Sequence, residues 1–197
     1  MKVKFIIIIL VLLGMVLPNN NLKAQDNKKN VLTLSLTNLF ILTPTLYYER
    51  VIGEKTSLQL GAFYTGIKTS GVKFDGLGII PEFRFYPGSY GAPRGFYCAL
   101  FAKYQSFGLT TTVDMAGIPS YDVEAASSRI VGGLIMGGQL YVEDVVVLDV
   151  FIGPSVVSAN TKYKGTATEA DFEDIPFINL EGTRVGIRFG ISLGFGF

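Results

Sequence analysis

The stretch GTRVGIRFGISLGFGF, Gly182 to Phe197, reads as two interleaved sequences. Thr183, Val185, Ile187, Phe189, Ile191, Leu193, Phe195 and Phe197 share one face of an extended strand. Gly182, Arg184, Gly186, Arg188, Gly190, Ser192, Gly194 and Gly196 share the other. One face is apolar throughout; the other is glycine, serine and arginine. So strict a period of two is hard to reconcile with a soluble core. It fits a strand with lipid on one side and a packed polar lumen on the other, and predicts that this strand closes a transmembrane barrel.

The amino-terminal end agrees. Lys2 and Lys4 precede an apolar run from Phe5 to Leu17, too short to span a bilayer comfortably, and polar residues from Pro18 to Lys23 lead to Ala24. The pattern predicts a signal peptide over 1–24 and a barrel domain over 25–197, beginning at Gln25. An uncleaved anchor is the alternative, because Leu22 is larger than the small residue usual three positions before the cut. No cysteine lies near that cut, which argues against a lipidated amino terminus.

Composition bounds the rest. In 197 residues, 23 glycines, 15 phenylalanines and 10 tyrosines favour twisted strands, and no heptad or 3.6-residue period competes with them. The single Cys98 excludes an internal disulfide and cannot make a metal site alone. A formal charge of +1, with no basic run, gives no sign of a nucleic-acid partner.

Eight strands are predicted: Val31 to Asn38, Thr45 to Ile52, Ser57 to Thr65, Leu77 to Tyr86, Gly95 to Ser106, Ser128 to Tyr141, Val145 to Val156 and Thr183 to Phe197. Most approach the length a tilted strand needs to cross a membrane. Short turns at Gly53 to Thr56, Pro87 to Arg94 and Val142 to Asp144 alternate with long polar connections at Gly66 to Gly76, Phe107 to Ser127 and Val157 to Gly182. Leu39 to Pro44 is the exception, short and apolar. This alternation predicts an all-β, eight-stranded antiparallel up-and-down transmembrane barrel, with short turns and both termini on the periplasmic side.

In the second strand Leu46, Tyr48 and Ile52 are placed outward against Thr45, Tyr47 and Glu49; in the fourth, Leu77, Ile79, Phe83 and Phe85 against Gly78, Glu82, Arg84 and Tyr86. The fifth places Phe96, Cys98, Leu100, Ala102 and Tyr104 outward; the seventh Val146, Leu148, Val150 and Ile152. Gly132, Gly133, Gly137 and Gly138 fall on both faces of the sixth, where a bulge is expected. An eight-stranded barrel is narrow enough for side chains to fill. Its expected lumen carries Glu49, Glu82, Arg84, Lys103, Arg129, Asp149, Arg184 and Arg188, and buried charges of both signs must pair. A salt-bridged plug follows, rather than an anion or proton path. Tyr48, Tyr64, Phe85, Phe96, Tyr104, Phe195 and Phe197 read as an interfacial aromatic girdle.

The chain resembles the small eight-stranded outer-membrane barrels of Gram-negative bacteria, the OmpA and OmpX type. The resemblance rests on the leader from Met1 to Ala24, the alternating strands, and Gly190, Phe195 and Phe197, which look like the carboxy-terminal signal read by the barrel-assembly machinery. It implies an outer-membrane location, lipid around the barrel and insertion by that machinery, and little about activity. The OmpA type also carries a peptidoglycan-binding domain after its barrel; none is expected here, where the last strand reaches Phe197.

The chain has no histidine, so histidine-activated nucleophiles or water are excluded. Glu169, Asp171, Glu173 and Asp174 crowd one loop and read as a solvated acidic segment. They could act as acid and base or hold calcium weakly, but lack the glycine-spaced pattern of a calcium loop. Catalytic residues, cofactors and metals are therefore expected to be absent. Two classes remain: a noncatalytic envelope protein, structural or binding an unknown external partner through its loops, and a soluble lipocalin-like barrel holding a small apolar ligand. A soluble carrier would expose the glycine and arginine stripe of the last strand, and the chain lacks the tryptophan of the lipocalin signature. The first class is the expectation.

Overall fold

The computed structural model describes residues 28–69, 72–113, 121–164 and 182–197. Eight strands run β1 (Asn30–Ser35), β2 (Thr45–Gly53), β3 (Thr56–Thr69), β4 (Val72–Phe85), β5 (Gly95–Val113), β6 (Tyr121–Val142), β7 (Val146–Lys164) and β8 (Gly182–Gly196), with one short helix, α1 (Leu36–Phe40), after β1. Each strand pairs antiparallel with its sequence neighbour, and β8 pairs with β1, so the sheet is a closed up-and-down barrel. Closure removes the unpaired edges that an open sheet would present.

At one end lie the two-residue turn at 54–55, the connection 86–94, the turn 143–145 and both described chain ends. These pieces are tied together: Ala92 N–H donates to Glu54 O at 2.8 Å, Arg94 pairs with Asp144 at 2.6 Å, and Lys28 donates to Asp144 O. Glu143 and Asp144 have φ of 49° and 59°, the left-handed conformation that suits a tight hairpin turn. Phe197 exchanges backbone hydrogen bonds with Asn30, at 2.8 and 3.0 Å, completing the closure. This end is called the inner end below, and the opposite one the outer end.

Several boundaries differ from expectation. The first strand stops at Ser35, because the Ser35 hydroxyl accepts from Asn38 N–H at 3.2 Å and caps α1. Where the connections expected as long loops fall among the described residues they are strand: β3 and β4 pair up to Thr69↔Val72, β5 and β6 to Val113↔Tyr121, and β6 and β7 to Glu124↔Lys164. The outer rim is therefore uneven, with β3 to β8 rising well past β1 and β2. The expected bulge in the sixth strand is absent: β6 keeps one register with β7 on either side of Gly133 and Met136. A register shift occurs instead in β2, between Val51 and Gly53. Two β6 glycines, Gly133 and Gly137, make room for close packing. A Cβ at Gly137 would meet the Tyr97 ring at 2.5 Å, and one at Gly133 would strike Pro154 O of β7. The leader over 1–24 and the acidic cluster Glu169, Asp171, Glu173 and Asp174 lie outside the described residues.

The barrel is inside-out relative to a soluble protein. Glu49, Glu82, Arg84, Asp149 and Gln139 are buried in the lumen, while the alternating positions of every strand from β2 to β8 present large apolar side chains outward. On β8, Val185, Ile187 and Phe189 are 84%, 73% and 63% exposed.

Candidate functional site

The centre of the lumen is Arg84, on an inward position of β4. Its guanidinium divides among three acids from three strands: Nε donates to Glu82 at 2.7 Å, Nη1 to Glu49 of β2 at 3.1 Å and Nη2 to Asp149 of β7 at 2.9 Å. The planar fork suits such simultaneous pairing, and its face lies 4.3 Å from the Tyr97 ring centre. Arg188 of β8 extends the network, donating from Nη1 to the second oxygen of Glu82 at 2.8 Å. Its guanidinium also packs on Phe101 at 4.3 Å and Phe151 at 4.6 Å.

Neutral donors complete the acids. Glu49 accepts from Tyr86 at 2.7 Å, from Gln139 at 2.7 Å and from Ser57; Asp149 accepts from Tyr97 at 2.9 Å. Every carboxylate oxygen of the three acids thus has a donor, the condition under which buried charge is tolerated. Arg84, Tyr86 and Tyr97 have no exposed surface, so this layer leaves no open path along the axis. What the arrangement does chemically is seal and rigidify the inner half of the lumen.

The other charged residues named from the sequence sit elsewhere. Lys103 of β5 and Arg129 of β6 face inward in the outer half; Lys103 Nζ lies 4.9 Å from the Phe63 ring centre and the Arg129 guanidinium 5.7 Å from that of Phe107. Arg184 is exposed near the outer start of β8, opposite Val157, and is not part of the sealed layer. Strand parity put it on the inward face, but it lies beyond the enclosed stretch. Gly190 is buried where a Cβ would meet the Phe151 ring at 2.6 Å, and the Phe195 and Phe197 rings lie 5.5 Å apart on the outer face. Tyr86, Tyr97, Gln139 and Ser57 are members of the network that charge alone did not single out. Their signal was inward parity next to a charged position.

The outward aromatics form two levels. Tyr48, Phe85, Phe96 and Phe197 lie near the inner end, and Tyr64 and Tyr104 higher, facing neighbouring positions across β3, β4 and β5. Phe96 and Tyr104 are separated by about 20 Å along the axis at ordinary strand rise and tilt. Cys98 is exposed on the outer face between them. Among the described residues no group of histidine, cysteine, aspartate or glutamate has the grouping of a metal site.

No protein-family model matches the chain, and no curated protein matches it. Among solved structures, the crystal structure of Acinetobacter baumannii CarO is similar, at 13% identity over 86% of this chain and 97% of that one, with a TM-score of 0.43. That likeness is distant.

Proposed function

We propose that this chain is an outer-membrane β-barrel of a Gram-negative envelope, sealed along its axis and noncatalytic. It acts by stabilising the membrane or by presenting its outer end to an external partner. The observation that carries the reading is the outer face. Its apolar stripe on β8 from Val185 to Phe195 covers about 25 Å along the axis, close to the height of the lipid-facing band of known barrels. Equivalent apolar positions recur from strand to strand. A belt this large exceeds what a monomeric soluble protein exposes.

A lipocalin-like carrier would need the opposite phase, with apolar side chains lining a cavity and charges in water. Here the inward positions carry the ion-paired layer around Arg84. The OmpA and OmpX type gives the assembly route: a leader to Ala24, then insertion guided by Gly190, Phe195 and Phe197. Charges consumed in mutual pairing leave the plug with no acid or base free for turnover, which supports a structural role.

The test is membrane fractionation with heated and unheated electrophoresis of the detergent-extracted protein. A heat-modifiable band in the outer-membrane fraction is expected. Recovery as a soluble periplasmic protein with no mobility shift would overturn the proposal.

A further inference from the structure

Above the plug the charged side chains that face inward among the described residues are basic. Arg188, Lys103 and Arg129 face inward from β8, β5 and β6, and among the described residues the two guanidinium groups lie near enough to Lys103 to repel it. Arg188 has Glu82 as its counter-charge. Lys103 is largely buried, and its contact among the described residues is the Phe63 ring face at 4.9 Å, with no carboxylate at pairing distance. A ring face returns only part of what an ammonium loses on leaving water, and two guanidinium groups nearby add to the cost.

A second observation points to the same place. Gln105 occupies the next inward position of β5, opposite Arg129 in register, and is 6% exposed. Its amide oxygen has no hydrogen-bond partner, and neither has Nη2 of Arg188. Oxygen and nitrogen of such an amide exchange places by a half-turn, so Gln105 can present N–H donors to a bound oxygen. An unneutralised ammonium beside two incompletely bonded polar side chains is the donor set of an anion site.

We infer that the outer half of the lumen binds one small oxyanion, a carboxylate or a phosphate, held by Lys103 Nζ with Arg188 and Gln105. The sealed layer around Arg84 closes the site toward the inner end, so the anion binds without passing through. The inference rests on the closed barrel and not on its placement in a membrane.

The test uses the whole protein folded in a nonionic detergent, which supplies no anionic headgroup. Sodium phosphate and, separately, sodium acetate are titrated at constant ionic strength against chloride, and the temperature at which the folded gel band converts is read. A saturable rise with at least one anion is expected. In Lys103→Gln the half-saturating concentration should increase about tenfold or more. Lys73→Gln, which alters an exposed Lys73–Asp75 pair on β4, should titrate like the parent. Gln105→Leu keeps every charge and should weaken binding severalfold, so it decides the matter if Lys103→Gln does not fold. No saturable response in the parent, or unchanged titrations in the folded variants, overturns the inference.

Discussion

Replacing Arg84 by methionine removes the one group that holds Glu49, Glu82 and Asp149 together. Each lost bond is charge-assisted and worth about 1.5–3 kcal/mol. The three do not add, because the acids keep other donors. Glu49 retains Tyr86, Gln139 and Ser57, Glu82 retains Arg188, and Asp149 retains only Tyr97. The expected loss is therefore about 3–5 kcal/mol, the range for breaking a buried ion pair by removing one partner. Asp149 is left worst served, which yields a sign test. In the parent, Asp149→Asn discards an ion pair and destabilises; in the Arg84→Met background it removes an orphaned charge and should recover about 1–2 kcal/mol. The assay is a urea titration of the folded protein in lipid vesicles, with the folded fraction read from the unheated gel band. A loss below about 1 kcal/mol for Arg84→Met, the scale of a surface pair, or an Asp149→Asn effect of the same sign in both backgrounds, would refute this account of the plug.

Three further outcomes are expected. Gly194→Ala places a Cβ against Leu32 O and the Thr33 Cα of β1 and should cost several kcal/mol or prevent closure, about the scale of severe overpacking, whereas Gly138→Ala meets nothing within 4 Å and should unfold at the parent's urea midpoint. Cys98, exposed on the outer face, should react in vesicles with a lipid-soluble maleimide at least about tenfold faster than with a charged thiosulfonate reagent, since the charged form is excluded from hydrocarbon; equal rates would place that face in water. Deleting Phe197 removes its backbone bonds to Asn30 and the ring beside Phe195. Its expected effect is a fall in the amount assembled in cells that exceeds any fall in folding yield from urea into vesicles, measured as heat-modifiable protein in both settings.

The architecture was legible because, in the enclosed part of the barrel, each strand separates two environments of opposite polarity. The alternation of Ile187, Phe189 and Ile191 with Arg188, Gly190 and Ser192 records this residue by residue. Strand length was not legible. Outside the apolar belt both faces can be polar, so Thr110 to Val113, Tyr121 to Ser127 and Ser158 to Lys164 lose the alternation and read as loops while remaining paired. The contents of the lumen were partly legible. Parity gave the face of Glu49, Arg84 and Asp149, but not their height, which depends on the register between strands whose acids lie 35 and 65 residues from Arg84. The same gap separates Arg184 from Arg188: equal parity, yet one is exposed near the rim and the other reaches Glu82.

The uneven rim gives the barrel a direction around its circumference as well as along its axis. Past Phe63, β3 pairs only with β4, and past Ser192 toward Gly182, β8 pairs only with β7 among the described residues, so β3 to β8 form a curved palisade while β1, β2 and α1 form a low sill. Among the described residues the wall around the outer lumen is therefore high over one arc and low over the other.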